Sequence, residues 1–441
     1  MKQTFFKSII INNITKKRIE IDKKGGNISS DGGLFLFSSY DKSIGYTKKL
    51  SQCLEDKREA SKIKHTVEEI MKQKVLGLIA GYEDQNDHNQ LREDDMMKLC
   101  VGKEGSLASQ ASMSRFETTR TVKELLHISY TLIDLFVRTE KKAPKEITID
   151  IDPTDVETHG HQQGTLFHGF YMQYQYYPLL VFCKGICIGA LLRKGTAGAN
   201  TYAYSMILRI VDRIRMHWPE VKIKVRGDCG FGNPRIFNIC EKKDLEYVLG
   251  IGANDVLYKE VEGLSSQVEE DFRRTGEKQR RFTSFSYKAR SWERERTVVA
   301  KVERNDIGFN KRFIVLSGPL KEISEEEAKA IYDEYVQRGA MEVHIGEWKN
   351  ALNADRMSCC SFKANWFRLL LHTAAYNIMY LVKKMCENKV QEIAESSLSK
   401  MRLYLIKIGA IIRRLKTRIK VHLSSSFPHI DLFWKVCRLV L

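Results

Sequence analysis

The chain has 441 residues, 43% of them hydrophobic, which is enough for roughly two to four domains with ordinary cores. A formal net charge of +17 at pH 7 narrows the partners to nucleic acid or an anionic membrane surface. The membrane is excluded as a medium, because the most apolar stretch, 366–382, is interrupted by Arg368, His372 and Asn377 and reads as a buried core helix. No signal peptide is expected, since 1–17 has polar residues through every apolar run. The ten cysteines lack zinc or disulfide spacing, as reduced cytoplasmic thiols would.

Residues 1–140 read as mostly helical. Asp31-Gly32-Gly33 opens an ordered stretch, and 67–80 sets Ile70, Val75, Leu76 and Ile79 at helical spacing. The run 109–117 suits the second helix of a helix-turn-helix, with Ser112, Ser114 and Arg115 outward, or a helix of an ordinary bundle. Residues 145–253 read as strands near 147–152, 169–175 and 178–192, an amphipathic helix over 202–218, and strands 221–225 and 247–251 with a helix after Pro234 between them. Periodicity there supports a mixed α/β fold. Residues 255–320 carry alternating runs at 281–287, 297–302 and 312–316 and read as β-rich, with cations Arg273, Arg274, Lys278, Arg280, Arg281, Lys288 and Arg290. In 324–390, Ser324 to Glu327 forms a capping box that opens a helix, and a second helix is expected near 362–386. Residues 391–441 read as basic and helical. A helix is expected over 398–421, where eight Lys or Arg and no acid lie between Lys400 and Lys420, a face suited to phosphate.

Three acids stand out on these elements. The strand 146–152 (EITIDID) puts Ile147, Ile149 and Ile151 on one face and Thr148, Asp150 and Asp152 on the other. The strand 221–225 (VKIKV) runs into Arg226-Gly227-Asp228. An acid on a buried strand is costly unless something pairs with it. The third, Glu342, lies in EYVQRGAMEVHIGEWKN as part of Y-x2-R-x3-E-x6-K. On one continuous helix, Tyr335, Arg338, Glu342 and Lys349 fall within an arc of roughly 60°. Asp152, Asp228 and Glu342 together make a three-carboxylate cage for divalent metal, and Arg and Lys beside it suit phosphate. A solvated face of ion pairs is the structural alternative for the helix. Spacing does not choose between Asp150 and Asp152.

The order Asp152, Asp228, Glu342, with Tyr335, Arg338 and Lys349 around the last acid, resembles the DDE transposases of bacterial insertion sequences with a Y-R-E-K signature. It is most similar to insertion-sequence family 1380. The resemblance is carried by 147–160 (ITIDIDPTDVETHG), 169–183 (GFYMQYQYYPLLVFC), 226–231 (RGDCGF), 291–303 (SWERERTVVAKVE), 353–371 (NADRMSCCSFKANWFRLLL) and 401–410 (MRLYLIKIGA). Asp152-Pro153-Thr154 resembles the D-x-T of relatives, which favours Asp152 over Asp150. The chain departs from the family at Gln163, at Cys229 and over Val343 to Gly346.

The resemblance implies an α/β fold with an RNase H-like core in 145–253 and 324–390. A β-rich insertion at 255–320 would interrupt it, flanked by a helical end-recognition and dimer region at 1–140 and a basic helical region at 391–441. Asp152, Asp228 and Glu342 would be catalytic and would hold two Mg²⁺ ions, for which Mn²⁺ can substitute. Tyr335, Arg338 and Lys349 would bind DNA phosphates, and Trp292, with Arg294 and Arg296, would contact DNA and stack on an extruded base. The partners implied are double-stranded DNA, as terminal inverted repeats and target, and a second copy of the chain on paired ends. The compartment implied is the bacterial cytoplasm, at the nucleoid when DNA-bound. A nuclease that cuts without joining, and a non-catalytic DNA-binding derivative, are the alternative functions.

Overall fold

The computed structural model describes residues 8–11, 14, 15 and 17–441. The chain divides into two compact units: Met1–Thr47, Arg58–Ser114 and Val382–Leu441 form one, and Lys48–Lys57 with Arg115–Leu381 the other.

The second unit is built on an eight-stranded mixed sheet. Its strands are β1 (Glu146–Pro153), β2 (Leu179–Cys183), β3 (Ile186–Leu191), β4 (Lys222–Gly227), β5 (Glu246–Ile251), β6 (Gln279–Tyr287), β7 (Arg296–Asn305) and β8 (Gly308–Leu316). They lie in the order β6-β7-β8-β5-β4-β1-β2-β3. β4 runs parallel to β1 and to β5, and the remaining pairs are antiparallel. The expected long strand 178–192 is a hairpin instead, because Lys184 and Gly185 both adopt positive φ (50° and 78°), a turn whose twist matches paired strands. The expected strand 169–175 is a hairpin too, with strands Leu166–His168 and Gln173–Tyr176 in a separate three-stranded sheet.

Helices α1 (Val122–Val137), α2 (Ala203–Arg215) and α3 (Pro234–Lys242) form a layer that packs from β3, through one another, to β5. Helix α4 (Glu262–Thr275), the helix α5 (Glu325–Val336) and α6 (Gly339–Leu352) follow, then the long α7 (Phe362–Met385). Arg368 and Asn377, two of the polar residues that interrupt the apolar run of α7, have partners in this unit, Arg368 with Ser358 and Glu117. Asn377 accepts from the Cys187 N–H at 2.9 Å and donates to its carbonyl at 2.8 Å, and Trp366 donates to the Ala190 carbonyl. The edge strand β3 is thereby covered, which satisfies backbone groups that would otherwise be stranded. Among the described residues no helix is long and apolar enough to cross a membrane.

The stretch 255–320 differs from a free-standing β insertion. It begins with two helices, Asp255–Glu260 and α4, and its strands β6, β7 and β8 continue the main sheet, β8 pairing with β5. The physical reason lies in β7, which is buried over most of its length and needs cover on both faces. Val248, Phe282, Val299 and Ile314 of the sheet form one core with Ala328 and Tyr332 of α5.

In the other unit, helices Leu34–Ile44, Val67–Ala80 and Asp95–Val101 pack on one another, and Ile430–Val440 packs on Leu34–Ile44 and on Leu398–Leu405. The expected helix 398–421 stops at Leu405. The chain then forms an antiparallel hairpin, Ala410–Arg414 with Ile419–Leu423, joined by Ile28–Ser29. Two causes are visible. Gly32 and Gly33 donate backbone bonds to the carbonyls of Ile408 and Ile406, and Lys407 pairs with the buried Asp31 at 2.7 Å, which fixes an unwound helix end. Beyond it, Ile419, Val421 and Leu423 alternate with Lys420 and His422, a pattern of period two. The helix expected over 109–117 forms as Gln110–Thr118, with Arg115 exposed but Ser112 and Ser114 half-buried.

Candidate active site

β1 and β4 bring the two aspartates together. Ile151 is level with Gly227 in their parallel register, so the next residues, Asp152 and Asp228, stand side by side at the carboxyl ends of neighbouring strands. Adjacent strands lie about 4.8 Å apart. Asp152 is buried, Asp228 is half-buried and turns its Oδ1 to accept the Gly230 N–H at 2.9 Å.

The Y-R-E-K residues do not lie on one continuous helix. The Ser324–Glu327 capping box opens α5 as expected, but α5 ends at Val336 and α6 begins at Gly339. Across the junction the bonds shorten to three residues: Gln337 to Glu334, Arg338 to Tyr335, Ala340 to Gln337 and Met341 to Arg338. Such tightening is the 3₁₀ pattern, and it turns the helix at Arg338. Tyr335 therefore belongs to α5, Glu342 and Lys349 to α6, and Arg338 to the corner.

That corner lies over β1. Arg338 donates to Asp152 Oδ2 at 2.7 Å and to Glu342 Oε1 at 3.4 Å, linking the first and third acids. Burial pushes the Asp152 carboxyl up to about 7, opposed by the Arg338 charge and reinforced by the charges of Asp228 and Glu342. Glu342 remains 67% exposed at its side chain. Lys349 donates to Asp155 Oδ1 at 2.9 Å; burial would raise the Asp155 carboxyl, but the Lys349 bond and charge outweigh it and hold it below the usual range. The Tyr335 hydroxyl and the Asp228–Cys229 backbone both border Gly250, where an added Cβ would stand 2.8 Å from that oxygen. Burial lifts the Tyr335 phenol to about 12, so it stays a neutral donor.

Asp150, two residues before Asp152, has a different environment. Arg226 grips both its oxygens, at 2.5 Å from Nε and 2.9 Å from Nη2, and donates Nη1 to the Glu334 carbonyl. Lys224 bonds the Glu334 carboxylate at 2.6 Å, so this pair of cations ties α5 to the sheet. Sequence reasoning missed Arg226, although its place in Arg226-Gly227-Asp228, on the strand face of Asp150, was a readable signal.

Trp292 and Arg296, expected at a DNA face, are buried, and Arg294 lies beside them at the surface. Trp292 is 6% exposed and packs edge-on against Phe237 and Tyr287. Arg296, 2% exposed, bonds Glu241 and the Tyr247 hydroxyl at 2.9 Å and covers the Phe237 ring. Arg294 is half-exposed but pairs with Glu241 at 2.9 Å. The Trp-x-Arg-x-Arg spacing is that of a core aromatic with its cationic lid.

Among the described residues, no three His, Cys, Asp or Glu stand close enough to form a metal site as they are. The donor set nevertheless suits a hard divalent cation: carboxylate oxygens only, around an Asp152 carboxyl that burial, and after it the charges of Asp228 and Glu342, raises toward neutrality. No curated protein is significantly similar to the chain. The fold is similar to that of the piggyBac transposase synaptic complex with hairpin DNA, solved by cryo-electron microscopy. Identity is 14%, the match covers 86% of this chain and 79% of that one, and the TM-score is 0.42, too loose to assign any residue a role. Residues 11–440 match a family described as transposase DDE domain group 1, and a match over nearly the whole length places the chain in that family.

Proposed function

We propose that this protein is the transposase of a bacterial insertion sequence, in the Y-R-E-K group and family 1380, that excises its element and joins it to new DNA. The observation that carries the reading is the arrangement of Asp152, Asp228 and Glu342. Two acids end adjacent parallel strands, and a third reaches the first through Arg338. The strand order β3-β2-β1-β4-β5, antiparallel on one side of β1 and parallel on the other, supports an RNase H-like core over 145–253 and 324–390. The crevice beyond the carboxyl ends of parallel strands is where such sheets bind ligands.

Asp152, Asp228 and Glu342 would hold two Mg²⁺ ions, or Mn²⁺ in their place. Bound there, the metal would supply Lewis acidity for attack of water, and then of a 3′-hydroxyl, on phosphorus. Arg338 and Lys349, now bonded to Asp152 and Asp155, would hold phosphate beside the cut. Tyr335 would donate its neutral phenol. Asp150 is committed to Arg226, which supports Asp152 as the first ligand. In the other unit the exposed cations Arg413, Arg414, Lys416, Arg418 and Lys420 of the hairpin would contact phosphate. The partners are double-stranded DNA at terminal repeats and target, and a second copy on paired ends.

Excision in vitro tests the reading. Purified full-length chain, Mg²⁺ and a plasmid carrying the gene with its native flanks should yield excised product with wild type and none with Glu342→Gln. Cut ends without strand-transfer product would make it a nuclease. Flank binding without any cut would make it a DNA-binding derivative.

A further inference from the structure

Between β1 and β2 the chain folds out the hairpin Leu166–His168 and Gln173–Tyr176, joined by the turn 169–172. Its tip and one face are apolar and open to solvent. Phe170 is 84% exposed, Met172 73% and Tyr174 58%, with Phe167 exposed beside them. Phe167 and Tyr174 are direct cross-strand partners with ring centroids 5.6 Å apart, so both rings occupy the same face. Met172 closes the turn at φ 54°, a left-handed conformation that costs a residue with a Cβ about 1 kcal/mol.

This hairpin is tied to the acid cluster. Gln173 donates to Asp155 Oδ2 at 3.3 Å, and Lys349 occupies the other oxygen of that carboxylate. From the tip, the rings of Tyr171, His168 and Tyr177 follow at centroid separations of 5.0 to 6.0 Å, and the Asp152 charge acts on the Tyr177 phenol. His168 Nδ1 and Gln175 Nε2 are buried atoms without a hydrogen-bond partner in the protein. From Thr158 to Val211 the chain has no Asp or Glu, but it has Lys184, Arg193, Lys194 and Arg209. The hairpin itself therefore carries no negative charge, and its sheet has one acid, Glu157, on the strand beside it. A handful of rings on a two-stranded hairpin falls well short of the roughly 1,200 Å² that a stable protein interface buries.

We propose that this hairpin is a nucleobase platform: Phe170 and the Phe167–Tyr174 face stack on bases that are unpaired at a DNA end lying in the acid cluster. Every base offers a flat face, so the platform is tolerant of sequence. The inference rests on the DNA-cleaving reading above.

The test uses full-length chain in chelator, so that nothing is cut, with two probes. One is a fully paired duplex; the other has the same sequence with unpaired terminal nucleotides, one of them 2-aminopurine. Wild type should bind the unpaired end on the order of tenfold more tightly and quench the 2-aminopurine. Phe170→Ala and Tyr174→Ala should each lose most of that preference and the quenching, with the paired-duplex Kd held within about twofold. Phe170→Trp should keep both. Variants that retain the preference, or weaken both probes equally, overturn the platform while leaving the transposase reading intact. A change in oligomeric state of Phe170→Ala without DNA, read by sedimentation, would make the hairpin a contact between copies and also overturn it. Failure of wild type to bind either probe brings down the DNA reading and this inference with it.

Discussion

At the centre of the sheet the Asp150 carboxylate accepts two bonds from Arg226, whereas two residues along the same strand Asp152 accepts one from Arg338. Arg226 also holds a carbonyl of α5, so the Asp150 pair is a clamp between sheet and helix. Arg338 is shared between Asp152 and Glu342 and faces Asp228 as well, leaving three acids with one cation. The first cluster has its charges neutralised in place. The second has an excess of negative charge and a carboxyl raised to about 7, a condition that one more cation would relieve.

The contrast predicts opposite phenotypes for the same substitution. Asp152→Asn should reduce cleavage on the order of a thousandfold or more, since a lost metal ligand removes several kcal/mol of transition-state stabilisation. End binding should survive, as a gel-shift assay would record. Full cleavage by Asp152→Asn, with loss in Asp150→Asn, would reverse the assignment. Asp150→Asn should instead lower stability by about 3 kcal/mol in urea unfolding, because Arg226 is left largely buried beside an uncharged partner. Cleavage by the folded fraction should remain near wild type.

Much of this was legible in the sequence. The strands EITIDID and VKIKV, the capping box before α5 and the alternating runs of β6 to β8 follow from local periodicity, which tertiary packing did not override. The bend at Arg338 was not, because no proline or special φ marks it; the helix tightens through backbone bonds alone. Nor was the burial of Arg296, since a Trp-Arg pair has one sequence pattern whether it faces solvent or Glu241, although a lone Trp such as Trp292 is more often core than surface. The C-terminal hairpin was misread because its Leu, Ile and Ala positions fit a weak helical stripe, and the stop at Leu405 is imposed by Gly32, Gly33 and Asp31, hundreds of residues earlier.

The raised Asp152 carboxyl gives a sharper form of the contrast. Its folded value of about 7 exceeds the ordinary value near 4, so the folded chain holds this proton more tightly than the unfolded one. That contribution to stability is fully present below about pH 4 and is lost as pH rises to about 7. Asn at this position has no such slope. In chelator, Asp152→Asn should therefore gain on wild type between pH 5 and pH 8 by about 2 kcal/mol, read from thermal melts. Adding Mg²⁺ at pH 8 should stabilise wild type and leave the variant nearly unmoved. A pH-independent difference would mean that Arg338 keeps Asp152 ionised throughout.

The smallest expected effect concerns a second pair of regions with similar composition. Around α4 and β6, Lys278 and Arg280 pair with Glu303, Arg273 with Glu269 and Arg274 with Asp271, so these cations serve the unit's own acids. Among the described residues the hairpin cations Arg413, Arg414, Lys416, Arg418 and Lys420 have no carboxylate within ion-pair distance, and all are exposed. Counterion release makes the salt dependence of DNA affinity a count of such free contacts. Replacing Arg413 and Arg414 by Gln should lower the slope of log Kd against log salt by about one per residue lost. Replacing Arg273 and Arg274 should leave it within error, because a cation held by the protein's own acid does not neutralise a phosphate and so displaces no counterion from the DNA. Equal slopes for the two double variants would show that pairing inside the protein does not decide which cations meet DNA.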